Sequence, residues 1–288
     1  MSRTIKALAS IFGAALLVAC WQSAPAVADS AVLERIKKEG EIRLAYRTDA
    51  APFSYRVDDK PAGYSVNLCL EVAARLQVQL KMEKLNATFI QVTAENRFDA
   101  ITQGHADLLC EATTATLSRR EIMDFSIPTF ISGASLVILP NGPTSFEALA
   151  GQKVGVLGGT TTQKILEATV KEHNVATEVV VVKTHDEGFD LVEKGTIAAY
   201  FGDRTILEDH LRSKKADNKL LLADSYLTIE PFALAMPIDH DFRLAVDTAL
   251  SRLFRGGGMI KVFRQSFAPE AKPSDLIKML SRTSGLPD

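Results

Sequence analysis

The stretch QVTAENRFDAITQGHADLLCEATTATLSRREIMDFSIPTF, Gln91 to Phe130, decides the fold. Asn96-Arg97 opens a helix that carries apolar Phe98 and Ile101, and Gly104 ends it. The apolar run Ala106-Asp107-Leu108-Leu109-Cys110 then reads as a buried strand. It stops abruptly at Ala112-Thr113-Thr114-Ala115-Thr116, with Arg119 and Arg120 just beyond. Strand exits that spill into hydroxyl-rich turns and a helix start are where open α/β sheets hold small anions. Hydroxyls, free backbone N–H groups and a guanidinium that converge on one spot suit a carboxylate.

Asn96-Arg97, Gly104, Asp107, Cys110, Thr113-Thr114, Arg119 and Asp124-Phe125-Ser126 together resemble the extracytoplasmic solute-binding proteins of polar amino-acid ABC transporters, most nearly the glutamate/aspartate-binding branch. The resemblance extends over most of the chain, roughly Leu33 to Phe267. It implies an α/β, two-lobed, type II periplasmic-binding-protein fold, each lobe a mixed sheet flanked by helices, with two hinge strands between them. On this reading residues 29–134 with 230–288 form the first lobe and residues 135–229 the second. The implied activity is ligand capture rather than catalysis, without cofactor or metal. The implied partners are a small amino acid and an ABC permease in the membrane, and the expected state is a monomer.

Outward from the central stretch, the N-terminus supplies the compartment. Met1-Ser2-Arg3-Thr4-Ile5-Lys6 is a short basic segment, and the apolar run Ala7 to Ala19 after it is too short to span a bilayer. Residues 1–28 therefore read as a secretory signal peptide, which implies export to the periplasm. Two processing sites compete. Ala26-Val27-Ala28 suits an ordinary signal peptidase, whereas Leu17-Val18-Ala19-Cys20 fits a lipoprotein box that would anchor the protein through Cys20. Loss of residues 1–28 removes only Arg3 and Lys6 among the charged residues, leaving 31 basic and 35 acidic side chains, a net charge of −4. That balance argues against nucleic acid and anionic membrane surfaces as partners.

Beyond Cys20 only Cys69 and Cys110 remain, an even number in an oxidising compartment. Cys69 stands on an amphipathic helix around Tyr64–Leu76, and Cys110 ends a strand on which that helix would pack. A disulfide and a pair of buried free thiols are both open. Zinc is not indicated, because neither a C-x-x-C spacing nor a His pair at i, i+4 occurs.

Strand after strand ends in a polar turn. Glu41–Tyr46 runs into Arg47, Lys153–Leu157 into Gly158-Gly159-Thr160-Thr161-Thr162, Val179–Val182 into Thr184-His185, and Ala198–Gly202 into Asp203. A zwitterion held among such turns needs a cationic donor for its carboxylate and an anionic acceptor for its ammonium. The resemblance assigns these roles: Arg119, Thr114, Thr160 and Thr161 for the α-carboxylate, Asp203 for the α-ammonium, and Arg47, Arg97 and His185 for the ligand's side chain. Ala50 replaces an aromatic residue that many family members place against the ligand, which the acidic-ligand branch tolerates.

Two departures from that branch bear on specificity. Cys110-Glu111-Ala112 stands where Cys-Gly-Ser is usual, and Ala94 replaces a serine. An added carboxylate disfavours glutamate or aspartate unless Glu111 faces solvent or pairs with Arg47 or Arg97. The ligand class is therefore a polar L-amino acid: glutamate, aspartate or their amides. The alternatives are a periplasmic dehydratase of the prephenate/arogenate type, with Glu111 as general acid, and a sensory binding module.

Overall fold

The structure is a computed structural model that describes residues 30–143, 145–214, 219–224 and 226–287. The expected signal segment, with Cys20, lies outside these residues. The described residues start with the helix Ala31–Glu39, capped by the Ser30 hydroxyl, which accepts from the Leu33 N–H at 3.0 Å. Gly40, at φ 65°, ends it in the left-handed region that glycine enters without a Cβ clash.

The next residues build a five-stranded mixed sheet in the order Asn86–Gln91, Glu41–Tyr46, Leu108–Leu109, Ala235–Met236, Asp124–Phe125. The first three strands are parallel, and Ala235–Met236 runs antiparallel to both of its neighbours. Helix Tyr64–Gln79 buries Val66, Leu68, Cys69, Val72 and Leu76. The expected strand Ala106–Cys110 is ladder-paired only at Leu108–Leu109. Cys110 nevertheless lies at its exit and is disulfide-bonded to Cys69, with Cα atoms 6.0 Å apart. A three-stranded meander, Asp49–Ala50, Ser54–Val57 and Lys60–Ala62, was not expected from the sequence, which reads there as a polar turn.

A second five-stranded sheet takes the order Glu178–Val182, Lys153–Leu157, Ala199–Asp203, Ala134–Ile138, Leu221–Leu222. Helices Thr161–Glu172, His185–Glu193 and Arg204–Ser213 accompany it. Ser145–Gly151, which reads in sequence as a short capped helix, forms only a single 3₁₀ turn, Glu147–Leu149.

Two antiparallel strands, Phe130–Ser132 and Glu230–Phe232, join the sheets. Phe130 and Phe232 are paired across this ladder and sink into an aromatic cluster with Phe53, Tyr64 and Phe267, at centroid separations of 4.8–6.3 Å. Such edge-to-face and stacked contacts anchor one end of each crossing strand in the first sheet's core. At the other end only glycine fits at 133, since a Cβ there would lie 1.9 Å from the Thr228 carbonyl oxygen.

Helices His240–Arg255 and Gly258–Ser266 complete the first core. The tail from Ala268, which reads in sequence as a surface segment with a helix over Ser274–Leu280, does form that helix but packs one face inward. Helix Asp275–Thr283 buries Ile277 and Leu280 in that same core, because its apolar residues repeat at helical spacing on one face.

Candidate functional site

The strand exits of both sheets meet where the two crossing strands bring them face to face. There Arg47, Arg97, Thr114, Arg119, Thr160, Thr161, His185 and Asp203 line one cavity, together with Ala112 and Leu157. The cavity is about 10 Å³, room for at most about one water molecule. An amino acid does not fit the cavity in this arrangement. A larger pocket, about 320 Å³, bordered by Phe130, Tyr226 and Phe267, lies apart from all eight residues. Its Glu208 and Glu270 side chains face solvent rather than converging on a buried point.

Arg119 is buried, whereas Arg120 beside it is exposed. The Arg119 Nη1 donates to the Thr114 carbonyl at 2.7 Å, and its guanidinium lies 4.7 Å from the Phe98 ring centroid. Its remaining guanidinium nitrogens bond nothing among the described residues. Burial lowers its pKa from the ordinary arginine value, against the pull of Glu111, Glu230 and Asp203.

Asp203 ends the strand Ala199–Asp203 and precedes the helix Arg204–Ser213 without capping it. Its Oδ1 is closed off from solvent and has no hydrogen-bond partner among the described residues. Burial, then the Glu230 and Glu111 carboxylates, raises its pKa well above the usual carboxylate range, and Arg47 and Arg119 only partly offset this.

Arg47 and Arg97, by contrast, are committed. Arg47 holds Asp49 in a fork, Nε to Oδ1 and Nη2 to Oδ2, both at 2.9 Å, and its Nη1 lies 3.4 Å from Glu111 Oε2. Burial opposes its charge, but Glu111 and Asp49 outweigh burial and raise its pKa. Arg97 donates to the Ala94 carbonyl and, across the cleft, to the Gly159 carbonyl at 3.0 Å. Its Nε lies 3.0 Å from Glu111 Oε1, too poorly aligned for a hydrogen bond, so the contact is an ion pair. Burial, opposed by Glu111 and reinforced by Arg47 and Arg119, pushes the Arg97 pKa down to about 10, still charged at neutral pH.

Glu111 therefore does not face solvent. It is 1% exposed, pairs with both arginines, and accepts from the Thr113 hydroxyl. Both of its oxygens act as acceptors, the opposite of what a dehydratase acid would require.

The threonines are less available than their sequence positions imply. Thr160 caps the helix Thr161–Glu172: its hydroxyl donates to the Leu157 carbonyl at 2.8 Å and accepts from the Gln163 N–H at 3.1 Å. Thr114 and Thr161 both donate to Glu230 Oε2, at 2.5 and 2.6 Å, and Thr228 donates to Oε1 at 2.9 Å. Glu230, on a crossing strand, thus ties a threonine of each lobe to the hinge. The sequence reading missed it. The available signal was a carboxylate between Ile229 and Pro231 in an otherwise apolar stretch. Asp49, the fork partner of Arg47, was missed as well.

His185 opens the helix His185–Glu193 and shares a 2.9 Å hydrogen bond with Tyr200 through Nδ1. Burial, followed by the charge of Arg47, pushes its pKa down to about 3. At neutral pH the imidazole is therefore an uncharged hydrogen-bonding group.

No group of His, Cys, Asp and Glu among the described residues could hold a metal ion. No helix among them is long and apolar enough to cross a membrane.

Residues 42–268 match the family model described as bacterial extracellular solute-binding proteins, family 3. The chain is 28% identical over 266 residues to an L-glutamate/L-aspartate-binding protein of Pseudomonas aeruginosa, covering 90% of this chain and 88% of that one. It is 25% identical over 254 residues to the glutamate/aspartate import solute-binding protein of Escherichia coli, covering 87% and 84%. Among solved structures, the L-cysteine solute receptor of Neisseria gonorrhoeae superposes with a TM-score of 0.73 at 24% identity, over 84% of this chain and 97% of that one. These relatives are solute-binding proteins rather than dehydratases. With two mixed sheets, two crossing strands and a cleft of strand exits between them, the chain belongs to the bacterial extracellular solute-binding proteins, family 3.

Proposed function

We propose that this protein captures a polar L-amino acid outside the cytoplasm and delivers it to an ABC permease, with residues 29–134 and 230–288 as one lobe and 135–229 as the other. The observation that carries the reading is the pair of uncommitted groups in a closed, buried cleft: the spare guanidinium nitrogens of Arg119 and the orphaned Oδ1 of Asp203. A buried acceptor without a partner is costly in a folded protein and is retained where a ligand completes it. A zwitterion completes both, its carboxylate on Arg119 and its ammonium on Asp203.

In this scheme Thr114 and Thr161 add hydroxyls to the carboxylate end by exchanging Glu230 for the ligand. Thr160 contributes through the helix N-terminus that it caps rather than through its own hydroxyl. Arg47, Arg97 and His185 face the ligand's side chain. Because both lobes supply contacts, the ligand favours the closed form by its differential affinity for closed over open. Removal of residues 1–28 releases the protein as a soluble monomer. The intact mass of the exported protein separates this processing from lipid attachment at Cys20.

Small-angle scattering of the mature protein tests the reading, with one amino acid bound per chain by calorimetry and a smaller radius of gyration at saturation than without ligand. A profile that saturating ligand leaves unchanged would rule out lobe closure.

A further inference from the structure

The two ends of the proposed ligand meet unlike surroundings. At the main-chain end Arg119 has donors to spare and Asp203 lacks a donor. At the side-chain end every charge is answered from within: Arg47 by Asp49 and Glu111, and Arg97 by Glu111 and two backbone carbonyls. The two guanidinium and two carboxylate groups cancel, and His185 adds no charge at neutral pH.

We propose that Glu111 is the specificity-determining residue of this site, an internal carboxylate that stands in for the side-chain carboxylate of an acidic ligand and restricts the protein to L-amino acids with uncharged side chains. This rests on the solute-binding reading above. Pairing of Glu111 with Arg47 and Arg97, which the sequence suggests would relieve the exclusion of an acidic ligand, has the opposite effect because it consumes both cations. A glutamate or aspartate closed into the cleft would bring a third carboxylate beside Glu111 and Asp49 with no cation left for it. Burying an unmatched charge is far more costly than burying an amide or hydroxyl that finds partners. A cationic side chain would meet Arg47 and Arg97 and is disfavoured in turn. Ala112 and Ala94 act in the same direction, because neither supplies a hydroxyl to a bound carboxylate. Glu111 cannot turn away to make room, since it is 1% exposed and held from three sides by Arg47, Arg97 and Thr113.

Calorimetry of the mature wild type against the twenty standard L-amino acids, repeated on Glu111→Gln, Glu111→Gly and Asp49→Asn, tests this. The wild type binds its best neutral ligand at least tenfold more tightly than glutamate or aspartate. Both Glu111 variants shift the ratio of glutamate to glutamine affinity by at least tenfold toward glutamate, and Asp49→Asn shifts it the same way by less. Glu111→Gln without ligand melts below the wild type and regains stability selectively with an acidic amino acid. A wild type that prefers glutamate or aspartate overturns the assignment even if no variant folds, and so does an unchanged ratio in folded variants. A wild type that binds none of the twenty overturns the solute-binding reading itself.

Discussion

Arg119→Ala and Asp203→Ala are each expected to weaken amino-acid binding by about 30- to several-thousand-fold, the roughly 2–5 kcal/mol lost when one member of a buried charge pair is truncated. In either variant the closed cleft would hold a ligand charge with no partner. Arg120→Ala, one residue away, is the control. Arg120 is exposed and lies 5.4 Å from the Phe125 ring centroid, so affinity should change little. Calorimetry on the three variants, with circular dichroism as a folding check, makes the comparison. Loss of binding in Arg120→Ala with Arg119→Ala unaffected would reassign the carboxylate anchor.

Asp203→Asn adds a pH signature whose sign follows from the raised pKa. A carboxyl that holds its proton more tightly folded than unfolded makes the folded state bind more protons across the window from the ordinary carboxylate range up to its raised value. Stability from this group is therefore complete below that window and falls as pH rises through it. An arriving ammonium reverses the trend by stabilising the ionised form. Ligand-free Asp203→Asn is thus expected to resist denaturant at pH 7 at least as well as the wild type while binding poorly. Affinity in the wild type should rise with pH through the same window, with release of protons on binding that Asp203→Asn lacks. Titrations in buffers of different ionisation enthalpy read that release directly. A pH-independent affinity across the window would mean that Asp203 does not meet the ammonium.

Loss of the Cys69–Cys110 disulfide is the second large effect. The bond closes a loop with a sequence separation of 41 between the helix under the first sheet and the exit of strand Leu108–Leu109, which carries Cys110 and Glu111. In the chain-entropy model such a crosslink contributes about 4 kcal/mol by restricting the unfolded chain. Both cysteines are fully buried, so Cys69→Ala paired with Cys110→Ala also removes two sulfurs from packed surroundings. Urea unfolding of the oxidised protein, the dithiothreitol-reduced protein and the double variant should give a large common drop in midpoint for the last two. Equal midpoints for oxidised and reduced protein would show that the bond contributes nothing to stability. A smaller loss of affinity should accompany reduction, because Cys110 fixes the backbone from which Glu111 reaches Arg47 and Arg97.

The order of strands and helices was legible in the sequence because its signals are local. Glu41–Tyr46 and Lys153–Leu157 were read with their observed bounds from runs of apolar residues and the glycines that punctuate them. The helix His185–Glu193 is framed in the sequence by Thr184 before it and Gly195 after it. The convergence of eight residues on one cleft was implied by the family resemblance, and the tendency of α/β sheets to present their strand exits together is its physical reason. Short pairings were less legible. Leu108–Leu109 and Asp124–Phe125 owe their strand character to neighbours in the sheet, and the meander after Arg47 is closed by contacts rather than by strong local propensity.

What only the tertiary structure decided is which charges are spent. Arg47, Arg97, Arg119 and Arg120 look alike in sequence, each an arginine near a strand exit or helix start. Burial separates Arg119 from Arg120. Pairing across a separation of 64 residues ties Arg47 to Glu111, and Glu230, far along the chain, gathers Thr114 and Thr161. Hydrogen bonds and ion pairs of this kind depend on sheet register and lobe closure to within an ångström or so, a precision that composition and periodicity do not carry. The sequence thus determined a two-lobed binding fold with a cleft of alternating charge, whereas the folded chain determined which of those charges remain available to a ligand.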